Sequence, residues 1–194
     1  MGDPRRLRKA FSKPPHPWQK VRIDDEKIVF EEYGLKNKKE LWKTTSLLRL
    51  YAENAKRIIR TRNAQSEIEE KQLISKLQKI GILPASATIA DVLGISSKDI
   101  FGRRLQTVVF KKGLARTIKQ ARQFIVHEHI MVGDKIISRP SYLVPVDLEE
   151  GISFAINSSL SSAEHPERIS AAAPKAPEEP KKKKREARKK ERRK

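Results

Sequence analysis

Cysteine is absent from this 194-residue sequence. Disulfide scaffolds and thiolate zinc sites are thereby excluded, and a reducing compartment fits. Long apolar runs are missing too. No stretch approaches the roughly 20 residues that a membrane-spanning helix needs. The opening MGDPRRLRK has no apolar segment behind its charges and does not read as a secretory signal. Aromatic residues make up only 6% and apolar residues 37%, so the middle of the chain can bury a core but the ends cannot. The length suits one domain or two small ones.

Acidic residues are also scarce: 24 Asp and Glu face 43 Lys and Arg, a formal charge of +19. Solubility alone needs a net charge of about 2–8. An excess this large repels itself until a polyanion relieves it, which points to nucleic acid. Catalytic patterns are lacking. His127 and His129, two residues apart, do not share a helix face and make a poor metal pair, and no glycine-rich phosphate loop is present. No enzyme activity, metal, cofactor, small-molecule substrate or membrane contact is expected.

Residues 1–45 read as a basic N-terminal arm and anchoring segment. Arg5, Arg6, Arg8, Lys9 and Lys13 precede prolines 14, 15 and 17, which favour extended backbone. Trp18 either stacks on a base or ribose or tucks onto the domain body. Leu35, Leu41 and Trp42 are expected to anchor the segment while Lys36, Asn37, Lys38 and Lys39 point outward. Residues 46–100 read as a helical domain. One helix starts at Thr45 or Ser46 and runs through Leu47, Leu50, Tyr51 and Ile58. A second starts at Ser66, with Glu69 placed for a capping box, an apolar stripe of Ile68, Leu73, Ile74, Leu77 and Ile80, and Gly81 at its end. A short helix is expected to end at Gly94.

The densest functional signal lies in residues 103–144. Ser97 is expected to cap a helix that continues to Gly113, with Phe101, Leu105, Val108 and Val109 inward and Arg104, Thr107 and Lys111 on a separate stripe. Thr117 caps the next helix, over 118–129. It buries Ile118, Ala121, Phe124 and Ile125 and turns Arg116, Lys119, Gln123 and His127 outward. Residues 130–132 and 135–137 form a hairpin about Gly133 and Asp134. One or two short strands follow around Gly151. Residues 101–160 thus read as one compact basic module with following short strands, suited to a polyanion. Residues 161–194, rich in Ala, Pro, Lys and Arg, are expected to be disordered.

Arg103-Arg104-Leu105, Gly113-Leu114-Ala115, Ala121-Arg122, His129-Ile130 and Pro140-Ser141-Tyr142 together resemble the S-four RNA-binding domain. The flanks EYGLKNKKELW at 32–42 and GISFAINSS at 151–159 resemble the archaeal and eukaryotic branch of small-subunit ribosomal protein S-four, and the short chain suggests the archaeal side. The resemblance implies an α+β chain: a mainly helical N-terminal part carrying an S-four module of two helices and a small antiparallel sheet. It implies a primary binder of 16S rRNA in the cytoplasmic 30S particle, one that nucleates assembly of the subunit body and influences decoding accuracy with proteins S-five and S-twelve. The alternative is a free-standing regulatory or stress-response RNA-binding protein with the same module. Some relatives carry an N-terminal cysteine zinc cluster, which this chain cannot build.

The expected RNA contacts are the arm cations with Trp18, residues 36–39, and in the module Arg103, Arg104, Lys111, Lys112, Arg116, Lys119, Gln123, Arg139 and Ser141. Arg122 either joins them or braces the fold. His129 and Tyr142 either touch RNA or belong to the core.

Overall fold

The computed structural model describes residues 9, 11–61, 63–162 and 165–167. Helices α1 (Lys20–Tyr33), α2 (Lys38–Arg60) and α3 (Ala64–Ile80) lead into a 3-10 turn at Asp91–Gly94 and three short helices, α4 (Ser97–Gly102), α5 (Leu105–Lys111) and α6 (Ile118–Val126). Strands β1 (Ile130–Val132) and β2 (Lys135–Ile136), helix α7 (Val146–Glu149) and strand β3 (Ile152–Phe154) complete the fold. The sheet is antiparallel in the order β2-β1-β3, with Met131 opposite Ile136 on one side and Ser153 on the other. This is the α+β architecture expected, mostly helical with one small sheet.

Three apolar clusters hold it together. Tyr51, Ile58, Leu73, Leu77, Val92 and Ile100 join α2, α3 and α4. Leu105, Val109, Phe124, Ile125, Ile130, Val144 and Phe154 form the core of the α5–α6–sheet module. Leu35, Leu41 and Phe101 link the two, as the anchoring role of Leu35 and Leu41 requires.

Several boundaries fall elsewhere than the sequence suggests. The acidic stretch 23–33 is helical, although its buried side holds Glu26 instead of a clean apolar stripe. Glu26 is held by Arg22 and by Lys38 at 3.2 Å. Helix α2 begins at Lys38 and so runs through the boundary expected at 45–46. Asn63, not Ser66, caps α3: the Asn63 N–H donates to Ser66 Oγ at 2.8 Å, placing the serine inside the first turn. Ile68 lies outside the core, half exposed.

The long helix expected from Ser97 to Gly113 is two helices. Ser96 caps α4, with its N–H and hydroxyl both donating to Asp99 Oδ2. After Gly102 the chain leaves helical geometry to pair with residues 142–144. Leu105 N–H donates to Tyr142 O at 2.7 Å, Val144 N–H donates to Arg103 O at 3.0 Å, and Arg104 bridges Leu143. These tertiary hydrogen bonds replace the helical ones that a continuous helix would make. Thr107, expected on a stripe separate from the core residues, is buried and donates to Phe101 O.

Thr117 does cap α6, accepting from Gln120 N–H at 3.1 Å. The helix ends at Val126, three residues early: Glu128 takes a left-handed φ of 62°, and the chain turns through His129 to enter β1 at Ile130. The hairpin turns at Gly133 as expected, with φ 59°. Of the one or two strands expected around Gly151, one forms, β3, and residues 146–149 before it make the short helix α7.

Candidate nucleic-acid interface

The paired arginines that open the module face inward. Arg103 Nε donates to Ile80 O at 2.7 Å, and its terminal nitrogens reach Glu149 at 2.8 Å and Val144 O at 3.1 Å. It thereby bolts the end of α3 to the segment between β2 and β3. Arg104 is 4% exposed, lies over the Phe101 ring and donates to Glu40 Oε2 at 2.8 Å. Arg122 reaches the same carboxylate, with 2.7 Å to Oε1, and also approaches Gln106 Oε1. Of the two roles open for Arg122, bracing is the one the geometry fills. Arg103 and Arg104, expected to contact phosphate, are committed to internal partners by the same geometry.

Glu40 is the shared acceptor. Burial alone would raise its pKa, but hydrogen bonds from Arg122 and Arg104 and their two charges outweigh burial and hold it below the usual carboxylate range. Gln106, fully buried, bridges the same junction by donating to Gly34 O and Ile118 O. Sequence reading missed both residues. The one signal for Glu40 was an acid inside the basic run KNKKELW; Gln106 gave none.

These contacts bring together segments some eighty residues apart. Gly34 sits so close to Ile118 that a Cβ there would lie 2.6 Å from Ile118 Cγ2. The start of α2 is therefore seated beside α6. Lys36, Asn37, Lys38 and Lys39 are exposed there, with Lys38 spending part of its charge on Glu26. On α6 the exposed residues Lys119 and Gln123 lie opposite the buried Ala121, Phe124 and Ile125, as the spacing predicts.

The remaining candidates are distributed as follows. Lys111 is exposed on the wall of an open groove of about 610 Å³, and Lys112 Nζ donates to Glu150 O at 3.0 Å. Arg116 is exposed and donates to Pro166 O at 2.7 Å. Arg139 and Ser141 are exposed. Tyr142 is half-buried and packs against the module core. His129 is half-buried, 2.8 Å from Ser158 Oγ through Nδ1, and its ring stacks on His127 with centroids 6.2 Å apart. Lys9 and Lys13 are exposed, and Trp18, at 90% exposure, does not tuck onto the body. The arm touches the body at Phe11 against Trp42 and at Ser12, whose N–H donates to Ser46 Oγ. Arg5, Arg6 and Arg8, and the tail beyond residue 167, lie outside the described residues. Among the described residues no cluster of three or more His, Asp or Glu is placed to hold a metal, and no helix is long and apolar enough to cross a membrane.

A basic module of this shape has a known class. The family model described as the S4 domain matches residues 103–149, making this an RNA-binding chain of the S4-domain type. The small ribosomal subunit protein uS4 of Methanococcus aeolicus is 51% identical over 169 residues, spanning 87% of this chain and 96% of that protein. Its counterpart from Methanococcus maripaludis strain C5 is 47% identical over 174 residues, spanning 89% and 98%. The chain belongs to the uS4 family, in its archaeal branch. This is a family of ribosomal structural proteins and not of enzymes.

Proposed function

We propose that the chain is a structural constituent of the cytoplasmic small ribosomal subunit, a primary binder of 16S rRNA that nucleates the subunit body and contributes to decoding accuracy next to proteins S-five and S-twelve. The observation that carries the RNA-binding face is the seating of residues 36–39 beside the outer side of α6. Gly34 against Ile118 and Arg122 on Glu40 merge two basic clusters from distant segments. Lys36, Lys39, Lys119 and Gln123 supply phosphate and sugar contacts from a rigid base, and Lys111, Lys112, Arg116, Arg139 and Ser141 extend the footprint. A-form RNA hides its major groove, so such a surface reads shape, backbone and splayed bases. Trp18, standing in solvent, is available for stacking on one of them.

The test is binding to 16S rRNA fragments across a salt series. Lys119→Ala is expected to weaken binding and lower the salt slope by about 1, as the loss of one phosphate contact does, with stability unchanged. Arg104→Ala is expected to lower stability while the folded fraction keeps the wild-type slope. An unchanged slope for Lys119→Ala together with a reduced one for folded Arg104→Ala would overturn the proposed face.

A further inference from the structure

Helix α1 is out of character with the rest of this chain. It carries five acids, Asp24, Asp25, Glu26, Glu31 and Glu32, against Lys20, Arg22 and Lys27, within a protein of net charge +19. Only Glu26 faces inward, alongside Ile23, Val29, Phe30 and Tyr33. At about 100° per residue the outward face is ordered. Val21 and Ile28, 70% and 63% exposed, form its centre line. Asp24 and Glu31 flank that line on one side, Asp25 and Glu32 on the other, and all four are exposed. Each pair repeats at seven residues, so the pattern is two copies of an apolar anchor set between acids, about 10 Å apart along the axis.

Internal pairing leaves much of this charge available. Lys27 lies 3.1 Å from Asp24, and Lys98 lies 3.9 Å from Glu32, both exposed pairs of the kind worth little. Among the described residues no cation lies within ion-pair distance of Asp25 or Glu31. A phosphate backbone is repelled by four carboxylates and gains nothing from two exposed aliphatic side chains. A polypeptide carrying both Lys or Arg and apolar residues satisfies both halves of the pattern.

We propose that the outer face of α1 is a protein-docking surface, taking a basic segment of a neighbouring protein whose apolar side chains seat on Val21 and Ile28 and whose cations pair with Asp24, Asp25, Glu31 and Glu32. The inference rests on the chain's place in the small subunit. It assigns α1 to protein contact and α6 with residues 36–39 to RNA. This chain's own residues 181–194 are basic, but their sequence holds no apolar side chain larger than alanine to match Val21 and Ile28.

The absence of cysteine makes the test direct. Full-length Ile28→Cys and Lys119→Cys each carry a single thiol, which is labelled with a benzophenone maleimide, assembled into small subunits and irradiated. Position 28 is expected to cross-link to a protein segment rich in Lys or Arg, mapped by mass spectrometry, while position 119 cross-links to rRNA. Adding Asp25→Lys and Glu31→Lys to Ile28→Cys is expected to cut that cross-link by about tenfold or more, because like charges then face each other, with helix content by circular dichroism unchanged. A cross-link from position 28 to rRNA, to a segment lacking basic residues, to this chain's own tail, or to nothing overturns the inference. So does a yield that the charge reversals leave unaltered. Failure of the labelled chain to sediment with the particle would overturn the subunit assignment and this inference with it; sedimentation without the expected cross-link overturns this inference alone.

Discussion

At Glu40, two guanidinium groups from 64 and 82 residues further along the chain share one carboxylate. Arg104 is almost wholly enclosed, so its charge has no water to return to if the acceptor is lost. Removing one partner of such a buried pair typically costs about 3 kcal/mol. Glu40→Gln is therefore expected to lower the free energy of unfolding by about that much in urea denaturation at neutral pH. The folded-state pKa of Glu40 lies below its unfolded value, so its contribution is fully present above the ordinary carboxylate range and is lost as pH falls through the lowered folded value. The variant should lose the part of the acid-side stability slope that belongs to this group; an unaltered slope would show that the junction does not lower the pKa of Glu40. The same residues show where sequence reading stops. In the sequence Arg104 and Lys119 look alike, each a basic residue on the non-core stripe of a helix. One is enclosed over a phenyl ring and the other stands in solvent, and only packing tells them apart.

Helices and turns carry the next level of the argument. The capped helix α6, the Gly133 hairpin and the apolar stripe of α3 through Leu73 and Leu77 follow from local rules of capping, periodicity and turn chemistry. The break between α4 and α5 does not, because pairing with residues 142–144 overrides helix propensity after Gly102. Helix α1 escaped notice because its inner face buries a paired glutamate where a periodic reading looks for leucine. Its end is the junction's most constrained point: Gly34 has φ 57°, caps α1 and touches Ile118. Gly34→Ala introduces both a left-handed alanine and a clash, and is expected to cost about 2 kcal/mol or more. A drop in urea midpoint at unchanged m-value would register it. Near-wild-type stability would mean that α1 and α6 are not locked as described.

For the whole molecule, the question is how the positive charge divides between structure and partners. Arg103, Arg104 and Arg122 are used within the fold, whereas Lys9, Lys13, Lys36, Lys39 and Lys119 face outward. Among the described residues the arm meets the body at Phe11, against Trp42, and at Ser12, on Ser46. Deleting residues 1–22 is expected to weaken rRNA binding and flatten its salt dependence far more than deleting residues 174–194, as salt titrations of the two truncations would show. The reverse ranking would assign the footprint to the tail.

Composition by itself determined that this protein partners a polyanion: an excess of 19 positive charges without cysteine or catalytic patterns leaves few other readings. The motif set over 103–142 determined the module, because capping, glycine turns and hairpin register are short-range rules written in adjacent residues. Which of the cations form the outer surface was decided only by the tertiary structure. A buried guanidinium persists where a carboxylate and hydrogen-bond acceptors converge on it from distant segments, and that convergence, at Glu40 for Arg104 and Arg122 and at Ile80 and Glu149 for Arg103, exists only once α2, α3, α6 and the sheet are packed.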